Sequence, residues 1–531
     1  MKTIYSLLLA SIGAMGASAQ TQYDAFRFSE NELNGTARFV GMGGAMGALG
    51  ADISVIGTNP AGIGLFRGHD LSTSFSFNST NVKSDFNGVS MSEKKNHMSY
   101  DQLGFVYSTK IGNRTNVRYI NFGFNYHKSS NLNKLFSAGG FLDGMSQTNQ
   151  MANMMRGWST TDFDNIYNYG TELDDGLTNP YDAYDSNYPY LGVMGIRTEL
   201  VGVGANGTPV GWYGDKNYYH SREEGGIQQY DFNVSFNVQD KMYFGATFGV
   251  YDIDYRRSTF YSEDIFDNTN GADHVGYYEM NNIHRTSGTG IDLKLGAIFR
   301  PIDDSAFRFG FAIHTPTWYN LTDTYDSNIY TEIAYKFSDG RTSSFKANET
   351  VSDYVGGQNL QEYRLTTPWK FNVNMGTVLG GIMALGAEYE FASYNTCKFH
   401  YYDGYEMVDQ NKNISADLKG VHTLRIGMET RLGSMFSLRA GYNFSSQAFK
   451  ETAYKALNVN DMRTDVEYNN KMSQNTATVG LGYRGRIFYA DIAYKYNVYK
   501  SDFYPFSDAS LAPAKLTNER HQALMTVGVH F

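Results

Sequence analysis

Hydrophobic and polar residues alternate in short blocks along most of this chain. Tyr230, Phe232, Val234, Phe236 and Val238 are interleaved with Asp231, Asn233, Ser235 and Asn237. The same period-two pattern recurs at 242–250, 291–299, 307–313, 369–375, 383–391 and 436–444. Shorter or weaker examples lie at 71–78, 103–109, 119–126, 423–430, 476–483 and 487–494, and the chain ends on one more at 523–531. Side chains of a strand point alternately to its two faces, so each block predicts a strand with one apolar and one polar face. The blocks number fourteen.

The connections alternate too. Those at 110–118, 239–241, 300–306, 380–382, 431–435 and 484–486 are short, and those at 79–102, 127–228, 252–288, 315–368, 392–422, 445–475 and 495–522 are long. Antiparallel strands joined in this way predict a closed transmembrane β-barrel, with short turns and both termini on one side and long loops on the other. From residue 119 onward, no charged residue stands on the apolar phase of a strand. Asp292, Lys294, Arg308, Lys370, Glu388, Glu390, Arg425, Glu429, Arg439 and Asp491 all fall on the opposite phase. A charge facing lipid at the midplane costs about 2–4 kcal/mol, so a lipid-facing surface imposes this sorting. A soluble sandwich core would impose it as well, but sandwich strands are shorter and lack long loops gathered at one side. Tyr126, Phe299, Trp369, Phe391, Phe444, Tyr483 and Tyr494 end strands on the apolar phase, as interfacial girdles require.

Composition agrees. Of 531 residues, 55 are Gly and only 9 are Pro, and aromatics make up 15%. Strands in a closed ladder donate every N–H to a neighbour, which keeps proline out. The mean hydropathy of −0.43 does not argue against a membrane, because only alternate strand residues meet lipid and polar loops dilute them. No apolar run reaches the roughly 20 residues of a spanning helix. Cys397 is the only cysteine, so no disulfide framework forms. The net charge of −10 argues against a nucleic-acid partner.

Lys2, the apolar stretch 4–14 and Ala17-Ser18-Ala19 read as a secretory signal peptide over 1–19, with a mature chain starting near Gln20. The segment 20–70 has no period-two pattern. Its centre is rich in Gly and Ala from Gly41 to Ala51, and Asn59-Pro60-Ala61-Gly62 follows. The glycine run misses the G-x-G-x-x-G nucleotide spacing, because Met46 occupies the last position. A fourteen-stranded barrel leaves a lumen, and 20–70 reads as the plug that fills it, with 71–531 as the barrel and its loops.

The stretch 41–65, with Asn59-Pro60-Ala61 at its heart, resembles the N-terminal hatch of the FadL family of long-chain fatty-acid transporters. Further resemblance lies at Gly310 to Thr317 (GFAIHTPT), Thr367 to Lys370 (TPWK), Leu438 to Tyr442 (LRAGY) and the terminal Phe531. The resemblance implies a fourteen-stranded outer-membrane barrel for passive uptake of a hydrophobic small molecule, fatty acid-like or aromatic. Extracellular loops would capture the ligand and pass it to an apolar pocket above the hatch. A hatch rearrangement would then release it laterally through the wall. The implied partners are that ligand, outer-membrane lipid and the barrel assembly machinery, with no cofactor.

Asn59, Pro60, Ala61 and Gly62 are the candidate hatch element: Pro60 fixes φ and removes a donor, and Asn59 holds a turn through its side chain. In loop 127–228, Met151, Met154, Met155 and Trp158 recur at helical spacing after Phe136, Phe141, Leu142 and Met145. Methionine suits adaptable apolar surfaces, so these are the candidate capture residues, alongside a plainer reading as the loop's own packing. The acidic residues Asp162, Asp164, Glu172, Asp174, Asp175, Asp182 and Asp185 fail the EF-hand pattern and read as a solvated surface. His127, His220, His274, His284 and His400 lie in or beside long loops and keep a haemin receptor open as an alternative. Another is a barrel of the same resemblance serving as a secretion-system partner. No motif places a Ser/His/Asp constellation, so the chain reads as a non-enzyme.

Overall fold

The period-two blocks are the membrane-level parts of fourteen strands in a computed structural model, which describes residues 19–182, 186–267, 273–336, 341–457, 461–470 and 472–531. The signal peptide expected over 1–19 lies outside the described residues except for Ala19. The wall strands are β1 (Asp70–Phe86), β2 (Val89–Lys110), β3 (Val117–Asn131, continued as Lys134–Gly144), β4 (Tyr213–Val238), β5 (Met242–Asp267), β6 (Asp273–Phe299) and β7 (Arg308–His314, continued as Trp318–Lys336). They continue with β8 (Asn359–Thr366, continued as Lys370–Leu379), β9 (Met383–Ser393), β10 (Gly420–Leu432), β11 (Phe436–Ser445), β12 (Gln474–Arg484), β13 (Phe488–Tyr504) and β14 (Ala514–His530). Each pairs antiparallel with the next, and β1 closes on β14 from Asp70↔His530 to Asp85↔Lys515. The fourteen expected blocks correspond to these strands one to one.

The long connections differ from expectation. Segments 79–102, 252–288 and 495–522 are largely strand, and β5 and β6 run for 26 and 27 residues, whereas about 9–11 residues cross a bilayer. The reason is a reversal of phase. On β5 the outward residues Phe244, Phe248 and Val250 give way to Asp252, Asp254 and Arg256, while the inward Gly245, Thr247 and Gly249 give way to the buried Tyr251, Ile253 and Tyr255. The strand runs on, but its outer face passes from lipid into water and its inner face from a polar lumen to an apolar loop core. A pattern read on one phase stops at that crossing.

That loop core fills the projecting end of the barrel. Helices α3 (Gln147–Met154), α4 (Thr160–Asn168) and α5 (Tyr190–Arg197) bury Met151, Met155, Phe163, Ile166, Leu191 and Met194 against the inner faces of β4, β5 and β6, including Tyr219, Tyr261 and Tyr278. Below it lies the membrane-level band. Phe75, Phe232, Phe248, Leu295, Phe311, Phe371, Leu424, Leu481 and Ile492 are exposed on its outer face, while the strand charges Asp292, Lys294, Glu388, Arg439 and Asp491 are buried in the lumen.

Residues 19–69 occupy that lumen. Helix α1 (Gln22–Ser29) sits high, under the helix Val408–Asp417 and the segments 446–457 and 461–470: Tyr23 stacks on Phe449 at 4.6 Å, and Gln22 donates to Asp417 at 2.7 Å. The chain then descends to α2 (Ala37–Gly41), which is capped by Thr36, and to two 3₁₀ turns, Ile53–Gly57 and Pro60–Leu65.

Candidate functional site

The hatch is seated in glycines. Gly376, Gly386, Gly427 and Gly441 stand side by side on β8, β9, β10 and β11. A Cβ at Gly386 would lie 1.9 Å from the Ala45 carbonyl oxygen, one at Gly427 2.2 Å from that of Met42, and one at Gly441 2.2 Å from the Gly43 nitrogen. On the facing wall, Gly245 and Gly296 pair between β5 and β6, and a Cβ on Gly296 would fall 2.1 Å from Asn59 Oδ1. The lumen-facing glycines thus form a belt that lets the hatch backbone touch the wall backbone.

Asn59-Pro60-Ala61-Gly62 lies in that seat. Asn59 is fully buried; its Oδ1 accepts from Ala61 N at 3.2 Å, and its Nδ2 donates to Asn374 Oδ1 at 3.2 Å and to the Ala297 carbonyl at 3.4 Å. It is the N-cap of the second 3₁₀ turn, with Pro60 at the first turn position, where the missing N–H costs nothing. The Pro60 carbonyl accepts from Ser235 Oγ at 2.9 Å, and Gly62 N donates to the Asn59 carbonyl at 2.9 Å. A second clamp ties Thr36 to Asp52 at 2.8 Å and, through its N–H, to Ser54 Oγ at 2.8 Å. An ion chain fixes the hatch to the wall: Arg38 to Glu429 at 2.9 Å, Glu429 to Arg439 at 2.5 Å, and Arg439 to Asp491 at 2.5 Å.

Two cavities flank this layer. One of about 110 Å³ lies above it, lined by Glu30, Asn34, His127, Ser129, His314, Lys370, Glu390 and Arg425. One of about 550 Å³ lies on the side of the short turns, lined by Arg38, Asp52, Asp70, Glu429 and Arg439. The upper cavity is thus walled mainly by polar groups. In the hatch segment bordering it, burial pushes the Glu30 carboxyl up to about 7, against the pull of Arg520 and Gln474.

The main-chain ladder of the wall beside the upper cavity is interrupted. The β2–β3 ladder runs from Lys110↔Tyr119 to Gln102↔His127 and stops. Beyond that rung β2 pairs only with β1, and β3 only with β4. A bulge in β2 at Asp101 marks the departure of β2, and shifts at Lys128/Ser130 bend β3. The orphaned edge of β3 is satisfied by the hatch segment: Glu32 N donates to the Ser129 carbonyl at 2.9 Å, Asn34 Nδ2 to that of Lys128 at 3.1 Å, and Asn131 N to the Glu32 carboxylate at 3.1 Å. Higher up, β3 leans behind the β1–β2 hairpin, where Ser84 Oγ donates to the Ser137 carbonyl at 2.7 Å. The result is a window in the main-chain ladder between β2 and β3, bridged by side chains: Lys128 Nζ donates to Ser99 Oγ at 2.8 Å and Asn131 Nδ2 meets His97 Nε2 at 2.7 Å. Beside it the rings of Tyr100, Tyr126 and Tyr230 touch across adjacent strands. The sequence pattern predicts a loop over 127–133. Its trace there was the loss of alternation at His127-Lys-Ser-Ser-Asn-Leu-Asn133.

The capture candidates separate. Phe136, Leu142, Met151 and Met155 are buried in the loop core, whereas Met145, Met154 and Trp158 are partly buried against it and Phe141 is exposed. The acidic stretch holds its own loop: Asp162 completes the capping box of α4 with the N-cap Ser159, whose hydrogen bonds lower its pKa, and Asp174 accepts from Gly170 and Leu177. Asp185 lies outside the described residues, as does the side chain of His274. Of the other histidines, His127 faces Asp231 at 3.7 Å, His220 meets Ser137 at 2.9 Å, and His284 stacks on Tyr325. Among the described residues, no group of three or more His, Cys, Asp or Glu is placed to hold a metal ion.

No protein-family profile matches the sequence, and no curated protein does. Solved structures do. The crystal structure of a Pseudomonas aeruginosa FadL homologue is 12% identical, with a TM-score of 0.52, over 94% of this chain and 99% of that one. The toluene transporter TodX of P. putida is 12% identical with a TM-score of 0.48, and TbuX of Ralstonia pickettii 14% with 0.43, each over 94% of this chain and 99% of the other. At this identity the likeness is one of fold: the protein is a fourteen-stranded antiparallel barrel of the FadL type, with its N-terminal segment folded into the lumen as a hatch.

Proposed function

We propose that the protein is an outer-membrane transporter for passive uptake of hydrophobic small molecules, fatty acid-like or aromatic, and not an enzyme. The observation that carries this reading is the break in the β2–β3 main-chain ladder beside the cavity above the hatch, where hatch residues Glu32 and Asn34 satisfy the edge of β3. The FadL homologue of the same fold points the same way.

In this reading the accessible Phe141, Met154 and Trp158 receive the ligand, while the buried Phe136, Leu142, Met151 and Met155 hold the loop that presents them. An apolar molecule avoids water by passing sideways into lipid rather than down an aqueous pore. Release is coupled to the hatch, because withdrawing 32–34 strips β3 of the groups that satisfy its edge. The polar lining favours ligands with one polar end. The test is uptake into proteoliposomes of a medium-chain fatty acid against toluene. Saturable uptake above empty liposomes supports the reading. Uptake equal to the control for both probes removes it, and co-purification of secreted proteins would then favour an interaction role.

A further inference from the structure

Proline occupies 9 positions in the chain, and two of them meet in the barrel wall. Pro316 interrupts β7 between His314 and Trp318, and Pro368 interrupts β8 between Thr366 and Lys370. The β7–β8 pairing keeps one register on both sides of the interruption, from Arg308↔Gly376 to His314↔Lys370 and from Trp318↔Thr366 to Tyr325↔Asn359. Pro316 therefore stands opposite Pro368, and neither has an N–H to give. The neighbouring rungs keep one main-chain bond each, Thr367 N to the Thr317 carbonyl at 3.1 Å and Thr315 N to the Leu293 carbonyl at 2.9 Å, and threonine hydroxyls take the other donors. Thr317 N donates to Thr367 Oγ1 at 2.7 Å rather than to a carbonyl, and Leu293 N on β6 donates to Thr315 Oγ1 at 3.0 Å.

Both faces of this rung point to traffic. On the lipid side stand Trp318 and Trp369, each 46% exposed and together half of the 4 tryptophans in the chain. On the lumen side, His314 and Lys370 line the same upper cavity that reaches His127 and Ser129 at the β2–β3 window. His314 holds the hatch at the Thr58 carbonyl, and Lys370 reaches the Ser29 carbonyl at 3.3 Å. The cavity thus touches β3 at His127 and Ser129, and β7 and β8 at His314 and Lys370, each two residues from its proline.

We infer that the paired-proline rung is a second lateral passage, at which β7 and β8 part to let a hydrophobic molecule move between the lumen and the bilayer. What passes through it rests on the uptake reading; the parting of the wall does not. The tryptophans supply an apolar rim at membrane-interface depth, and the missing donors leave fewer main-chain bonds to break there than at an intact rung.

The test labels lumen-facing thiols from the lipid phase. In a Cys397→Ser background in proteoliposomes, a pyrene maleimide dissolved in the bilayer is offered to Thr367→Cys at the rung and to Thr423→Cys, which lines the same cavity on an unbroken ladder. Thr367→Cys is expected to react roughly tenfold faster, the effect of one to two missing hydrogen bonds on local opening. Adding Pro316→Ala and Pro368→Ala, which restores both donors, should bring it down to the Thr423→Cys rate. Equal rates, or a rate indifferent to the alanines, overturn the passage. A Thr317→Cys/Thr367→Cys disulfide should lower uptake reversibly with reductant, and uptake unchanged by the cross-link overturns the passage as an exit. If the wild type takes up neither probe yet Thr367→Cys still reacts faster, the uptake reading fails and the parting wall stands.

Discussion

His314 Nε2 donates to the carbonyl oxygen of Thr58 at 2.9 Å, so the wall strand that breaks at Pro316 is tied directly to the residue preceding Asn59. The bond couples wall to hatch, since motion of the Pro60–Leu65 turn must either carry His314 with it or break this contact. His314→Ala should leave the barrel assembled and loosen the turn by about 1 kcal/mol, the net worth of one hydrogen bond. Hydrogen exchange over 58–65 is expected to quicken severalfold while exchange in β7 above the break stays unchanged. Equal effects on both segments would show a general loss of packing instead.

Asn59→Ala removes the cap of the same turn together with the bonds to Asn374 and Ala297. A lost cap costs typically about 1 kcal/mol. Pro60→Ala frees φ and restores a donor that has no evident acceptor. Both variants should reach the cell surface at wild-type levels and lower the rate of uptake. Normal uptake by both would sink the assignment of this element to the hatch mechanism and leave it a packing turn.

The glycine belt makes a sterner test of how the hatch is seated. A Cβ at Gly386 has the Ala45 carbonyl oxygen at 1.9 Å, and both groups are backbone-anchored, so neither can swing aside. Gly386→Ala should therefore displace the Gly41–Ala51 loop while β9 keeps its pairings. Planar-bilayer recordings are expected to show ion conductance above that of the wild type, with heat-modifiable migration confirming a closed barrel. A wild-type conductance trace from a correctly folded variant would mean the hatch yields without opening the lumen.

How much of this was legible beforehand follows from which forces write themselves locally. Lipid wrote the outer phase of every strand, so the fourteen blocks and the inward charges Asp292, Lys294, Glu388 and Arg439 could be read. The hatch could be placed because Gly41 to Ala51 and Asn59-Pro60 break the alternation just before Asp70 opens β1. The projecting strands could not, because on β5 the apolar phase changes sides between Val250 and Tyr251. The window was hidden for a different reason: Glu32 and Asn34 act on strands some hundred residues away, through backbone carbonyls that carry no side-chain signature. Pro316 and Pro368 were visible as letters, but their opposition exists only in the register of β7 on β8.

Glu30 gives the hatch a pH dependence whose sign is set by burial. Its carboxyl is pushed from 4.5 up to about 7. Between those values the folded chain keeps a proton that the unfolded chain has lost. Protonation therefore stabilises the packed segment, fully at low pH, and the contribution fades as pH rises through the folded value. Protection of α1 and residues 30–34 should fall between about pH 5 and about pH 8 beyond the intrinsic change in exchange. Glu30→Gln, neutral throughout, should flatten that response. A pH response unchanged in Glu30→Gln would assign it to another group.

The last prediction concerns the latch at the top of the lumen, where the fully buried Arg463 guanidinium bonds Asp24 of α1 and Asp465 at 2.7 Å. Neither acid depends on Arg463 alone. Asp24 also has Arg27 at 2.7 Å, and Asp465 has Lys455 at 2.9 Å and Arg257 at 3.0 Å. Breaking a buried pair by removing one partner costs about 3–5 kcal/mol, because the other charge is left desolvated; these remaining cations should hold Arg463→Met near the lower end. The variant should expose Arg27 to trypsin. Removing both charges in Asp24→Asn/Arg463→Met should recover much of the loss, since the penalty lies in the widowed charge rather than in the missing attraction. If the double variant is cut as readily as the single one, the latch acts through the directed hydrogen bonds of the guanidinium, and charge compensation is not what holds the segment in place.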